Sequence, residues 1–230
     1  MKILQRIIGF VAGIATILFL FITSFEIAAY GDYSWYEKEY LKYGVLDELE
    51  MEISDVLDVT EEMMAYLRGN REDLVVHTIV DGEEREFFND REKAHMVDVQ
   101  ELFIGGLWIR RIAVVLLILS IIFLIKTKAD LKRMLPNSFL AATGSVLLLT
   151  IVAGAVFMSD FSKYFTIFHE IFFDNDLWLL DPRTDLLIRM LPEEFFLDMV
   201  ARIGVIFFVA IFLLLIISIV MLVKSKNKKN

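Results

Sequence analysis

Two histidines lie in short polar stretches that interrupt an otherwise apolar chain. His95 lies in EKAHMVD with Glu92 and Asp98 three residues to either side, and His169 lies in FHEIFFDNDLWLLD beside Glu170. A histidine can accept a proton in one step and return it in the next, as acyl transfer requires, and a nearby carboxylate can fix its tautomer. The pattern indicates general acid–base chemistry, although a purely structural role for either histidine stays open.

Other site chemistries find less support in the sequence. The third histidine, His77, alternates with apolar residues in a strand-like pattern and is interpreted as a hairpin residue. The Glu92-x-x-His95 spacing is used in di-iron bundles, but a second copy is absent, so no metal site is predicted. The chain has no cysteine, which excludes disulfides, thiol nucleophiles and thiolate metal ligands. No cofactor is expected.

Arg110 and Arg111 interrupt the apolar run that follows His95. A charge at the centre of a membrane helix costs about 2.5–3.5 kcal/mol on insertion scales, and less near its end. Consecutive helix residues point about 100° apart, so one arginine can reach lipid headgroups while the other faces the helix bundle. There it could bind a phosphate or stabilise an oxyanion. Alternatively, the membrane span simply begins after both arginines.

The elements that must position these residues are membrane helices. Hydrophobic residues make up 57% of the 230 positions, and mean hydropathy is +0.60. Four apolar runs approach the roughly 20 residues that cross a bilayer as a helix. The sequence therefore predicts one membrane domain over residues 1–230, with transmembrane helices at about 7–28, 104–125, 138–158 and 201–223. The first run is longer than the core of a typical signal peptide, so we expect it to be retained.

The charge pattern predicts the orientation of these helices. Lysines and arginines dominate residues 1–6, the loop 126–137 and the tail 224–230, which places both termini in the cytoplasm. Residues 30–103 contain 21 acidic against 7 basic residues, and residues 159–200 contain 9 against 3. Both segments are therefore predicted to be extracytoplasmic. The net charge of −9 argues against nucleic acid as a partner.

The two acidic segments are predicted to fold into a cap. Residues 45–68 place apolar side chains at helical spacing, and Gly69 is a plausible stop. LVVHTIVDGEEREFF indicates a β-hairpin with a turn at Asp81-Gly82. Pro182 and Pro192 indicate short helices. The fold class is thus an all-α integral membrane protein with four transmembrane helices, both termini inside, and an extracytoplasmic cap of interfacial helices and one small hairpin.

The two polar motifs carry a resemblance to a known family. FNDREKAHMVDV (88–99), FHEIFFDNDLWLLDPRTDLLIRMLPEEFF (168–196) and the four-span plan resemble the lipoprotein intramolecular transacylase family of Gram-positive bacteria. The resemblance covers nearly the whole chain, and its specificity rests on the two motifs.

What the resemblance implies is an intramolecular acyl transfer on a diacylated lipoprotein in the cell membrane. The sn-2 acyl chain of the diacylglyceryl-cysteine moves to the α-amine of the same cysteine and leaves a lyso-form lipoprotein. It also implies that His169 and His95 are the functional histidines, with His169 as the base. Residues expected to orient the histidines or brace the cap are Glu92, Asp98, Glu170, Asn175, Trp178 and Asp181. A role for Arg110 or Arg111 at an oxyanion or a phospholipid is a physical inference.

Two other functions remain compatible with the residues alone. A membrane sensor or accessory protein with an extracytoplasmic binding cap would use the same helices and acidic surface, and its histidines would be dispensable for function. A metal-dependent lipid hydrolase would instead lose activity to a chelator.

Overall fold

The computed structural model describes residues 1–227, which form nine helices and two strands within that range. Lys228 and Lys229 of the predicted basic tail lie outside the described residues. The helices are α1 (Lys2–Tyr30), α2 (Ser34–Lys42), α3 (Val45–Leu49), α4 (Ile53–Leu67), α5 (Asp90–Lys126), α6 (Leu131–Ser159), α7 (Phe161–Phe172), α8 (Leu186–Met190) and α9 (Glu193–Asn227). The strands are β1 (His77–Val80) and β2 (Glu83–Glu86).

Four of the helices, α1, α5, α6 and α9, are long and apolar enough to cross a membrane. The predicted fold class, an all-α membrane protein with four such helices and one small hairpin, is confirmed. Each helix is longer than the span predicted within it; α5, for example, begins fourteen residues before position 104. Which part of each helix crosses the membrane, and in which direction, stays a prediction. So does the assignment of all 230 residues to one domain.

The chain divides into two compact units. The first, here called the span unit, comprises Met1–Glu26, Gly106–Val156 and the chain from Ile203 onwards. The second, the histidine unit, comprises Ile27–Gly105 and Phe157–Arg202.

In the span unit, α1, α6 and α9 share an apolar core. Its buried members are Ile17, Phe139, Ala142, Phe207 and Ile211. Gly13 lets α1 and α6 approach closely, because a Cβ built there would lie 2.8 Å from both the Ser138 carbonyl oxygen and the Ala142 Cβ. Small residues at such contacts are a common way for membrane helices to pack.

In the histidine unit, the predicted helical pattern of residues 45–68 forms α3 and α4. The apolar face of α4 is buried at Val56, Val59 and Met63, and it packs against α2, where the Tyr40 hydroxyl lies 2.7 Å from the Thr60 hydroxyl. Gly69 follows α4 with a φ of 77°, a left-handed conformation that ends a helix at little cost for glycine.

The predicted hairpin is confirmed and sets the start of the next helix. β1 pairs antiparallel with β2 in a register that places Val80 opposite Glu83, so Asp81 and Gly82 form a two-residue turn with φ values of 54° and 72°. Positive φ at both positions is the type I′ geometry that matches strand twist. After β2 the chain turns through Phe87 and Phe88, both buried, and begins α5 at Asp90.

Candidate functional site

Two helices bring His95 and His169 together. His95 lies in the second turn of α5 and His169 near the end of α7, and the centroids of their rings are 6.1 Å apart. The two residues are 7% and 8% exposed, respectively. The sequence places them 74 positions apart, so their pairing is a product of the fold within the histidine unit.

His169 is held in one orientation by its own helix. Its Nδ1 lies 2.7 Å from the carbonyl oxygen of Phe165, one turn earlier in α7. In the neutral ring this bond requires the proton on Nδ1, because a carbonyl can only accept, and it leaves the lone pair on Nε2. The Nε2 atom is therefore the basic nitrogen of His169.

Aromatic rings surround His169 and reduce its contact with water. Phe161, Phe165 and His169 follow one another at intervals of four residues on the same face of α7, and the Phe165 ring lies 4.4 Å from the His169 ring. Trp178 stacks on His169 at 4.9 Å with an interplanar angle of 30°. Burial lowers the pKa of His169 below the usual histidine value, partly opposed by the bond to the Phe165 carbonyl. The ring is thus kept neutral and able to accept a proton near pH 7.

His95 lies in a different hydrogen-bonding environment. Its buried Nδ1 has no hydrogen-bond partner among residues 1–227, and its ring meets the ring of Phe173 edge to face at 5.4 Å. Phe173 also lies 5.5 Å from the His169 ring and so contacts both histidines. An unpartnered buried polar atom costs about 1–3 kcal/mol, a cost that functional sites tolerate more often than structural ones do.

Asp98, Asn175 and Trp178 form one connected group next to the pair. The Asn175 side-chain amide donates to the Asp98 carboxylate at 2.8 Å, and the Trp178 indole N–H donates to the Asn175 carbonyl at 3.0 Å. Of these predicted supporting residues, Trp178 contacts His169, and Asn175 and Asp98 connect to it through Trp178.

Glu92 supports the backbone around the site. This fully buried carboxylate accepts from the backbone N–H of Asn89 at 2.7 Å and from that of Leu187 at 2.6 Å. Asn89 in turn caps α5, since its side-chain oxygen accepts from the Glu92 N–H, and it donates to buried Asp185 at 2.7 Å. Sequence reasoning missed Asn89, although Asn-x-x-Glu before an apolar helix is a capping-box signal. It also missed Asp185 and Phe173, which no local pattern indicates.

An open cavity of about 520 Å³ lies next to Phe173, and neither histidine is among the residues that line it. Its wall combines four carboxylates with apolar side chains and includes Phe173, which touches both histidines. The carboxylates are Asp98, Glu101, Glu170 and Asp174. Glu170, which was predicted as a supporting residue, is exposed and lines this cavity.

Three other predicted residues make their contacts away from the histidines. The Asp181 carboxylate accepts from Arg183, which lowers its pKa to about 2. Arg110 forms an ion pair with Glu26 of α1, and the Arg111 guanidinium lies 4.9 Å from the Trp108 ring centre. Both arginines belong to the span unit.

Among residues 1–227, no group of three or more histidine, aspartate or glutamate side chains could hold a metal ion. Of the residues singled out in the sequence, the structure groups His95, His169, Asn175, Trp178 and Asp98.

A histidine pair enclosed by aromatic rings, on a protein with four membrane helices, defines a membrane-integral protein equipped for acid–base catalysis. The family model of the lipoprotein intramolecular transacylase Lit matches residues 10–196, and the chain belongs to this family of acyltransferases.

Solved structures support the same fold. An in meso structure of the membrane-integral lipoprotein intramolecular transacylase Lit from Bacillus cereus superposes with a TM-score of 0.78 at 21% identity, covering 98% of this chain and 99% of that one. Variants of the same protein in which a histidine is replaced by arginine or alanine give TM-scores of 0.76 and 0.74, each at 20% identity. The arginine variant covers 100% of this chain and 96% of that one, and the alanine variant 98% and 96%. A comparison with curated proteins gives no match.

Proposed function

We propose that this enzyme moves the sn-2 acyl chain of a diacylglyceryl-cysteine to the α-amine of the same cysteine, on the extracytoplasmic side of the cell membrane. The substrate is a diacylated bacterial lipoprotein, and the product is its N-acylated lyso form. The observation that carries the proposal is the fixed tautomer of His169, whose Nδ1 bond to Phe165 makes Nε2 a base inside an apolar enclosure. Family membership supplies the substrate class.

The reaction balances without a co-reactant. Nε2 of His169 takes a proton from the cysteine ammonium, and the amine attacks the sn-2 ester carbonyl, so that an N–C bond forms. The tetrahedral intermediate then collapses, the ester C–O bond breaks, and the histidinium returns its proton to the departing glycerol oxygen. The nitrogen releases its second proton to water, which leaves a neutral amide. Because amine and ester belong to one molecule, holding them in contact replaces a second binding event and accelerates the reaction.

His95 is proposed to assist His169. Its ring lies 6.1 Å from the ring of His169, and its Nδ1 makes no hydrogen bond to residues 1–227. A substrate N–H or O–H group that meets this atom after a small side-chain shift would satisfy it. His95 would then orient the amine or share its proton, while His169 remains the base.

The cavity suits the headgroup of this substrate. Its four carboxylates attract an ammonium group, and its apolar wall at Ile171, Phe172 and Phe173 suits glycerol and the first carbons of an acyl chain. Ile171 and Phe172 are also exposed, at 72% and 53%, in the last turn of α7. We propose that this end of α7 lies in the membrane interface and admits the lipid substrate from the bilayer.

Arg111 is proposed to contact phospholipid headgroups. It stacks on Trp108, which is 56% exposed, and such aromatic–cation pairs suit the level of the headgroups. Arg110, paired with Glu26, joins α5 to α1 in the span unit. This ion pair favours a structural role over the oxyanion role that the sequence left open.

A lipopeptide with a deuterated sn-2 chain tests the reaction. The purified protein in mixed micelles should convert it to a lyso-lipopeptide with the deuterated chain on the cysteine nitrogen, as read by tandem mass spectrometry. With an equal amount of unlabelled lipopeptide of different sequence present, the label should stay on the peptide that carried it. Label appearing on the second peptide, or release of free deuterated fatty acid, would contradict intramolecular transfer.

A further inference from the structure

The chain that runs from the end of α7 into α8 is fastened to α5 on both sides of His95. On one side the carboxylate of Glu92 accepts from the Leu187 N–H, and on the other the carboxylate of Asp98 accepts from the Asn175 side chain. Glu92 and Asp98 lie three residues before and after His95, so both attachments occupy its helix face. Trp178, which stacks on His169, lies between the two attachment points in sequence.

Asn175 has three simultaneous hydrogen bonds that determine where Trp178 lies. Its amide nitrogen donates to Asp98 at 2.8 Å, its side-chain oxygen accepts from the Leu177 N–H at 3.0 Å, and its backbone carbonyl accepts from the Trp178 indole at 3.0 Å. The first bond anchors the residue to α5, and the other two shape the turn that presents the indole to His169. The neighbouring Asp176 is held as well, because Arg91 donates to its backbone carbonyl.

We propose that the Asp98–Asn175 hydrogen bond is a latch that positions Trp178 against His169, so that Asp98 is a positioning residue for acyl transfer. The role rests on the proposed function of His169. Trp178 covers one face of the imidazole, and the position of the indole sets the access of water to Nε2. Asp98 acts on the reaction through Asn175 and Trp178.

A competing explanation is that the Asp98 charge acts directly on His95, its neighbour one turn away on α5. The two explanations differ in what exchanging the partners would do. In the D98N/N175D variant the donor and acceptor trade places, so the hydrogen bond is kept, and the carboxylate introduced at position 175 can still accept from the Leu177 N–H. The number of carboxylates in the cavity wall is also unchanged. The charge at position 98, however, is lost.

The latch is tested first by its structure, independently of catalysis. In an NMR spectrum of protein labelled with ¹⁵N at its three tryptophans, each indole N–H group gives one signal. The signal that is missing in Trp178→Phe belongs to Trp178. Asn175→Asp, which places two carboxylates face to face, should displace or broaden the Trp178 signal while those of Trp35 and Trp108 stay in place. Adding Asp98→Asn should return it. The latch is overturned if the Trp178 signal is the same in Asn175→Asp as in the wild type. It is also overturned if the D98N/N175D variant does not restore the signal.

The rate of acyl transfer provides the second readout. Coupling energies within such networks correspond to changes of about twofold to 150-fold, so Asn175→Asp should lower kcat roughly tenfold or more. The exchange variant should recover to within about threefold of wild type. If Asp98→Asn alone is as slow as Asn175→Asp and the exchange recovers nothing, the direct charge effect is correct instead. If the wild type shows no acyl transfer, the proposed function fails, and the indole signals still decide the latch.

Discussion

At the scale of single residues, the structure distinguishes two histidines that the sequence treats alike. Both lie beside carboxylates in polar motifs, yet neither imidazole has a carboxylate partner among its hydrogen bonds in residues 1–227. His169 is instead oriented by a backbone carbonyl and enclosed by rings. The carboxylates Glu92 and Asp98 hold the surrounding backbone and turn. The contacts of Glu92 and Asp98 thus correspond to bracing the cap, one of the two roles predicted for them, and not to a direct bond with an imidazole.

Replacing His169 with glutamine should abolish the proton transfer without leaving a cavity where the imidazole was. In His169→Gln the side chain keeps most of its volume but loses the base, so kcat should fall by about 10²–10⁴-fold, the usual contribution of general acid–base catalysis. Steady-state kinetics on a lipopeptide in mixed micelles measure this. His77→Gln, at an exposed position of β1, is the matched control and should leave kcat unchanged. A His169→Gln enzyme as fast as wild type would show that another group is the base.

The acid side of the pH–rate profile should report the environment of His169. Burial lowers its pKa, so the ring stays neutral and active as the pH falls through about 6.5, the ordinary histidine value, and is protonated only below it. The acid limb of kcat/KM should therefore lie below pH 6.5. His95, the titratable neighbour, lies 6.1 Å away, and a positive charge on either ring would disfavour charge on the other. An acid limb above pH 6.5 would contradict a desolvated base.

At the scale of elements, α7 and the start of α5 carry the site. Helix α7 has a buried aromatic face that includes His169 and two exposed apolar side chains, Ile171 and Phe172, in its last turn. Helix α5 begins with a reciprocal cap between Asn89 and Glu92 and holds α8 through Leu187. The position of the base thus depends on one amphipathic helix and one capped helix end.

The exposed apolar residues in the last turn of α7 should govern the capture of substrate from the lipid phase. Ile171→Gln removes apolar surface at a 72% exposed position, and partial burial of such a side chain corresponds to roughly a three- to tenfold rise in KM with kcat nearly unchanged. Kinetics at fixed bulk and varied surface concentration of lipopeptide measure this. Thr166→Gln, exposed elsewhere on the same helix, is the control. Equal KM values for both variants would exclude lipid contact at Ile171.

The buried carboxylate of Glu92 should be a major contributor to stability. In Glu92→Gln one of the two backbone N–H groups would face an NH₂ group instead of an oxygen, which costs about 1–3 kcal/mol in the free energy of unfolding. Reversible denaturation in detergent measures the loss. Glu84→Gln, on exposed β2, makes the same chemical change without the burial and should have no effect. Similar stabilities for the two variants would show that the Glu92 bonds are replaceable.

At the scale of the whole molecule, hydropathy and charge carried most of what could be predicted. The four helices follow from long apolar runs, and the hairpin follows from Asp81-Gly82 between two strand patterns, since both are local signals. The apposition of His95 and His169 depends on contacts between distant segments, and the resemblance indicated the residues without their geometry. Asp185 and Phe173 were missed because burial, rather than any motif, gives them their roles, whereas Asn89 was missed although it belongs to a capping box.

The orientation in the membrane remains a prediction that the absence of cysteine makes simple to test. Single cysteines introduced as Glu84→Cys and Lys128→Cys should differ in labelling of intact cells by a membrane-impermeant maleimide, because the positive-inside rule places only the first outside. Both should react after the membrane is opened. The cysteine-free wild type supplies the background. Labelling of Lys128→Cys in intact cells, with Glu84→Cys protected, would reverse the topology.

The most direct test of the central claim is tandem mass spectrometry of one lipoprotein's N-terminal peptide, because the diacylated and N-acylated lyso forms have equal mass and only their fragments distinguish them. The host should make lipoproteins but lack its own N-acyltransferase, and it should express either this chain or its His169→Gln variant at matched membrane levels. The wild type should yield an N-acylated peptide with one remaining ester-linked chain, whereas the variant should leave the peptide diacylated with a free amine. A wild-type protein that is folded in the membrane and leaves the peptide diacylated would contradict the transacylase function.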